Sequence, residues 1–215
     1  MPKKFLHRLD IMSYQTLFLF TAGFFILFFS TFGSLHAQEP AEIVESKGQT
    51  VVKIIRATDF DNPDSVSQLR STMLSVLKPA FDFREFTDRS LGVHADELSD
   101  SQISRLHRVF EDYLTSLFMN QFLTSKQLNS LKSIQVVQQD IRGNSARVRA
   151  AVDLSSKDKP ITVDFIFYKH EDRWIAFNFE SEGYSLLSSY RSQFNNILER
   201  NSFERLVELI EKKTK

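Results

Sequence analysis

The chain has no cysteine. That excludes a disulfide, a thiolate metal site and a lipid-modified cysteine at a processed N-terminus. Glycine and proline are sparse, with six and five among 215 residues, and no repeat or low-complexity stretch appears after residue 37. An excess of one charge is lacking too: 27 lysines and arginines meet 27 aspartates and glutamates. These are interspersed, so no basic stripe exists for nucleic acid or for an anionic membrane surface. Three histidines follow residue 37, His94, His107 and His170, and none has a second ligand at metal spacing. His107 lies near the apolar side of its helix and reads as a structural histidine. There is no G-x-S-x-G elbow and no phosphate-cradling glycine loop. No catalytic residue, metal site or cofactor is therefore expected, and energy for any transport step has to come from a partner.

One long apolar run is present, Leu17 to Phe29, rich in phenylalanine. Lys3, Lys4 and Arg8 precede it. Ser34-Leu35-His36-Ala37 follows and gives way to polar Gln38-Glu39. Positive charge, apolar run and small-residue site are the three parts of an export signal. The expectation is a signal peptide over 1–37, cleaved after Ala37, with an uncleaved anchor as the alternative. Cleavage leaves 178 residues, 38–215, enough for one domain with its own core. Taking away Lys3, Lys4, Arg8 and Asp10 leaves 24 basic and 26 acidic residues, a net charge of about −2.

The first half of that domain reads as helices. Pro40 to Thr58 carries Val44, Val51, Val52 and Ile55 near one side, with Gly48 interrupting the pattern. Asn62 caps a second helix that starts at Pro63, shows Val66, Leu69, Met73, Val76 and Leu77, and stops at Pro79. Asp82 and Glu85 form a capping box for a third, ended by Gly92. Ser99 and Gln102 box the fourth, where Phe110, Leu114 and Leu117 belong to a wide apolar face.

Strands follow. Ile134 to Asp140 is the first, and Arg142-Gly143-Asn144 is a turn. Ala146, Val148, Ala150 and Val152 alternate in the second. Val163, Phe165 and Phe167 share one side of the third with Ile161, and Ile175, Phe177 and Phe179 share one side of the fourth. After Gly183, Leu186, Leu187, Tyr190, Phe194, Ile197 and Leu198 recur at helical spacing behind Ser185, which reads as an N-cap. A last helix covers Asn201 to Lys213, with Asn201 and Glu204 as caps. This order gives an α+β domain: an antiparallel four-stranded meander with N-terminal helices and two C-terminal helices packed on it.

Trp174 on a strand, Glu182-Gly183-x-Ser185-Leu186, then Tyr190-Arg191-x-x-Phe194-x-x-x-Leu198 resembles the MlaC (toluene-tolerance) family. Phe81-Asp82-Phe83, Leu91-Gly92 and the long helix with Phe110 and Leu114 are similar to its pattern as well. Asn178 departs from it, since the family often has an acid shortly after the tryptophan. The resemblance implies an NTF2-like cone with an apolar cleft. It implies a periplasmic phospholipid carrier whose partners are an inner-membrane ABC transporter complex and an outer-membrane lipoprotein complex, maintaining outer-membrane lipid asymmetry. The expected wall for the lipid is Phe110, Leu114, Leu117, Val148, Val152, Val163, Phe165, Phe167, Tyr190 and Phe194. Burial is worth roughly 0.8 kcal/mol per methylene, so two tails with about 30 methylenes resist exposure by on the order of 20 kcal/mol.

Other readings stay open. The cargo is alternatively a hopanoid or another isoprenoid lipid. An NTF2-like enzyme acting on a small apolar substrate would need a buried acid near a tyrosine, and Asp164 with Tyr168 is the nearest pairing. An interaction module with a solid core is the third. Arg191 is expected to serve architecture, pairing with an acid such as Glu182.

Overall fold

Local capping sets where the helices begin. The computed structural model describes residues 38–124 and 130–214, the side chains of 120–124 excepted. The expected export signal and its cleavage point lie outside these residues. α1 runs Pro40–Arg56 and α2 Pro63–Leu77. Asn62 caps α2, its side chain accepting from the amides of Asp64 at 2.9 Å and Ser65 at 3.5 Å. A 3₁₀ turn, Lys78–Ala80, closes α2 at Pro79. α3 runs Phe83–Leu91, and Asp82 accepts from the amides of Arg84 and Glu85. The reciprocal half of the expected box is replaced, because the Glu85 carboxylate accepts from Arg89 at 2.7 Å. Gly92, at φ 57°, turns the chain into a second 3₁₀ segment, Gly92–Glu97. α4 runs Asp100–Thr124 behind a formed capping box. The Ser99 amide donates to Gln102 Oε1 at 2.9 Å, and the Gln102 amide to Ser99 Oγ at 3.4 Å.

The sheet is an open antiparallel meander in the order β1-β2-β3-β4-β5: Leu131–Arg142, Ser145–Leu154, Ile161–His170, Arg173–Ser181 and Tyr184–Ser185. Five strands replace the expected four. Glu182 and Gly183 both take left-handed conformations, φ 51° and 80°. Such a two-residue turn reverses the chain tightly enough for Tyr184 and Ser185 to pair back onto Ser181 and Glu180.

The expected phase of β4 also needs correction. Phe167 pairs with Ala176 and Ile166 with Asn178, so Phe177 is an extra residue, a β-bulge. Ala176 and Phe179 therefore share the side of Phe165 and Phe167, whereas Ile175 pairs with Tyr168 on the other side. Phe177 packs edge-on against Tyr168, ring centres 5.8 Å apart, with the Arg89 guanidinium 4.1 Å above it.

α1 lies along β1 and covers one sheet face. The Ala41 amide donates to Gln139 Oε1 and Arg56 Nη2 to the Lys132 carbonyl. Between these ends Gly48 is buried, and a Cβ there would stand 3.1 Å from Ile134. The glycine that weakens the helix pattern thus sits where helix and strand come close. α5, Leu186–Leu198, and α6, Phe203–Thr214, complete the fold. Ser202, rather than Asn201, caps α6, its Oγ accepting from the Arg205 amide at 3.3 Å. No helix among the described residues is long and apolar enough to cross a membrane.

Candidate functional site

Alternation and register decide what the covered sheet face presents. Ala146, Val148 and Ala150 of β2 are buried, with Phe167 and Ala176 beside them and Val44 of α1 above. Along β3 the same face changes character. Phe167 is 1% exposed, but Phe165, Val163 and Ile161 are half-buried. Their cross-strand partners Phe179 and Val152 are half-buried as well. The face is dry at one end and an apolar, partly open strip at the other.

The helical residues go elsewhere. Phe110, Leu114, Tyr190 and Phe194 sit in a cluster built by α3 to α6, with Leu117 half-buried against it. Phe110 meets Tyr190 at 5.0 Å and Phe194 at 4.9 Å between ring centres. The ten expected wall residues therefore divide between two clusters. Val148, Phe165 and Phe167 belong to the sheet's, and Val152 and Val163 lie on the same face. Phe81, half-buried in the strand-like link between α2 and α3, packs against both clusters and joins them. Its amide neighbour Asp82 donates to the Ala176 carbonyl at 2.7 Å, which fixes Phe81 at the edge of β4. Sequence periodicity misses Phe81 because it stands in no regular element. It also misses Val44 and Ile134 as neighbours of the sheet residues.

A cavity of about 100 Å³ lies among α4, α5 and α6, lined by Tyr113, Tyr190, Phe194, Leu206 and Ile210, with Lys213 at its margin. Small-molecule sites occupy roughly 300–1,000 Å³, so this space is too small for a diacyl lipid. Tyr190 donates to the Tyr113 hydroxyl at 3.2 Å, and burial raises the Tyr190 hydroxyl above the usual phenol range.

The opposite sheet face is ionic. Arg149 grips Asp164 with Nε at 2.7 Å and Nη2 at 2.9 Å, and Arg147 bridges Asp164 and Glu180. The Arg149 hydrogen bond, above all, holds the Asp164 carboxyl below its ordinary range. Tyr168 donates to Asp82 at 2.5 Å, and burial followed by that carboxylate raises its hydroxyl out of reach of neutral pH. An acid kept ionised and a phenol kept protonated, each held by a different partner, do not make an acid–base pair. His107 hydrogen-bonds Asp88 at 2.6 Å, as a structural histidine does. Among the described residues no cluster of three His, Asp or Glu is placed to hold a metal.

α5 is pinned along its length. Ser185 Oγ accepts from the Ser188 amide, as an N-cap. Buried Asn178 adds a second link that the sequence does not reveal: its Oδ1 accepts from the Leu187 amide at 3.1 Å and its Nδ2 donates to Ser185 Oγ at 3.2 Å. A carboxylate at 178 would keep the first contact and reverse the second, the Ser185 hydroxyl then donating. Arg191 donates from Nε to the Arg89 carbonyl at 2.9 Å, a helix-end acceptor rather than the expected acid.

Residues 45–212 match the family described as MlaC protein. A solved phospholipid-binding protein from Ralstonia solanacearum, in complex with a phospholipid, has a similar fold at a TM-score of 0.63 and 16% identity. The match covers 80% of this chain and 96% of that one. No curated protein matches the sequence.

Proposed function

Because the chain belongs to the MlaC family over residues 45–212, we propose that it is a periplasmic phospholipid carrier, working between an outer-membrane complex and an inner-membrane ABC transporter. Lipid is bound and handed over, and no bond is made or broken. The observation that carries this reading is the half-buried strip of Val152, Ile161, Val163, Phe165 and Phe179 on an otherwise dry sheet face. Large apolar side chains left partly open have burial energy still to gain, about 25 cal/mol for each Å² that a lipid tail covers. The phospholipid bound by the Ralstonia protein, in a similar fold, supports the same class of cargo.

Binding by tails needs few polar contacts, because a headgroup left in water loses little. The ionic face behind the strip fits a surface that meets solvent. Residues 38–215 then form the lipid-binding domain, and 1–37 direct export.

Mass spectrometry of organic extracts from the purified periplasmic protein tests the proposal. Stoichiometric phospholipid is the expected result. A hopanoid or other isoprenoid lipid in its place would change the cargo and keep the mechanism. Repeated absence of lipid would overturn the carrier in favour of an interaction module. N-terminal sequencing should find Gln38 first; a protein still carrying Leu17 to Phe29 would replace the signal with an anchor.

A further inference from the structure

His94 stands in the 3₁₀ segment after α3 and is 7% exposed. Both ring nitrogens face acceptors: Nδ1 lies 3.0 Å from Glu97 Oε2 and Nε2 3.0 Å from Asn195 Oδ1 on α5. The amide of Asn195 is not free to turn round, because its Nδ2 donates to Glu199 at 2.8 Å. Only an imidazolium donates from both nitrogens, so the geometry selects the charged ring. We propose that protonated His94 is a latch fastening the C-terminal half of α5 to the 3₁₀ segment, and that the latch releases when the ring loses its proton.

The surroundings favour the cation from each side. Glu97 faces it from its own segment, Asn195 from α5 and Glu199 from the residue just after that helix. The nearby cations are turned away: Arg191 of α5 to the Arg89 carbonyl, and Arg89 of α3 to Glu85 and over Phe177. The hydrogen bond to Glu97 is the first cause that raises His94 above its ordinary 6.5, against some loss from burial. A folded value above the unfolded one gives stabilisation that is complete below 6.5 and disappears as pH rises through the folded value. Each unit of separation is tenfold in the latched-to-released equilibrium. α5 carries Tyr190 and Phe194 and is held at its start by Ser185 and Asn178. Release therefore loosens the C-terminal half of the helix, where Phe194 and the Arg191 hydrogen bond remain, while its start stays fixed. This inference stands whether or not lipid is the cargo.

The test is histidine titration by NMR, with amide hydrogen exchange of residues 191–198 over the same pH range, on the purified wild type, His94→Gln and Glu97→Gln. His94 should titrate above 6.5, and Glu97→Gln should lower its midpoint. After correction for intrinsic rates, exchange in 191–198 should accelerate in the wild type as His94 deprotonates and stay level in His94→Gln. A midpoint at or below 6.5, or the same exchange profile in both proteins, would overturn the latch. Should His94→Gln not fold, Glu97→Gln decides alone, since Glu97 is exposed: its acceleration has to shift to lower pH with the His94 midpoint.

Discussion

Phe165 and Phe167 lie two residues apart on one strand and on one face, yet they occupy different environments. Phe167 is sealed among Ala146, Ala176 and Val44, whereas Phe165 is half-buried beside Phe179. The strand pattern is identical for both, so the difference arises from what lies above the face. α1 lies close on β1 at Gly48, and Phe81 packs near Ala176. Alternation assigns a residue to a face, and long-range packing then makes it core or wall.

The largest expected effect comes from the sealed end. Phe167→Ala should destabilise the protein by about 3–5 kcal/mol, because the surrounding residues close only partly over the space left. Chemical denaturation measures this. Phe165→Ala should cost clearly less, since part of that ring already meets solvent. Equal losses at the two positions would erase the contrast between the ends.

A charge sharpens the same comparison. Phe165→Asp should expel bound lipid while the fold persists, since water reaches a half-buried carboxylate but methylenes do not solvate it. Phe167→Asp should unfold the protein, through an unpaired buried charge. Lipid content of extracts and a melting curve separate the two. Lipid retained at the wild-type level in Phe165→Asp would remove the strip from the site.

Turning the sheet over contrasts the apolar face with the ionic one. The Asp164 carboxyl is held below its ordinary 3.8 by Arg149 first and Arg147 next. A lowered folded value means stabilisation present above 3.8 and lost as pH falls through the folded value. Asp164→Asn should therefore flatten the acid end of the stability profile below about pH 4 and change bound lipid little. Melting temperature against pH checks it. An unchanged acid profile would mean that the pair is equally formed in the unfolded chain.

What the sequence discloses is mostly local. Asn62, Asp82, Ser99 and Ser185 cap their helices because a cap needs a side chain and an amide two or three residues on. The strands of the meander follow from period two and short turns. What stays hidden depends on residues far apart. The bulge residue Phe177 packs against Tyr168 and Arg89, 9 and 88 residues away, and the bulge reverses the phase of Ile175. Arg191 finds a carbonyl 102 residues away where an acid is nearer in sequence. The residues expected to line a lipid wall share the element faces that their spacing implies, but nothing in that spacing tells that helix and sheet residues pack into separate clusters bridged by Phe81.

The smallest expected effect concerns the start of α5, which two side chains tie to β4. Ser185 Oγ accepts from the Ser188 amide at 3.3 Å and from Asn178 Nδ2 at 3.2 Å. Ser185→Ala removes the cap at a cost of about 1 kcal/mol, or roughly 2–4 °C in melting temperature for a chain of this size. Asn178→Ala should cost more, because Asn178 is 4% exposed and the Leu187 amide loses its acceptor where water reaches it poorly. Neither side chain belongs to the apolar strip, so bound lipid should survive both changes. Lipid lost from Ser185→Ala at an unchanged melting temperature would make the hydroxyl a ligand contact. The opposite order of the two destabilisations would place the joint in the cap rather than in the buried amide.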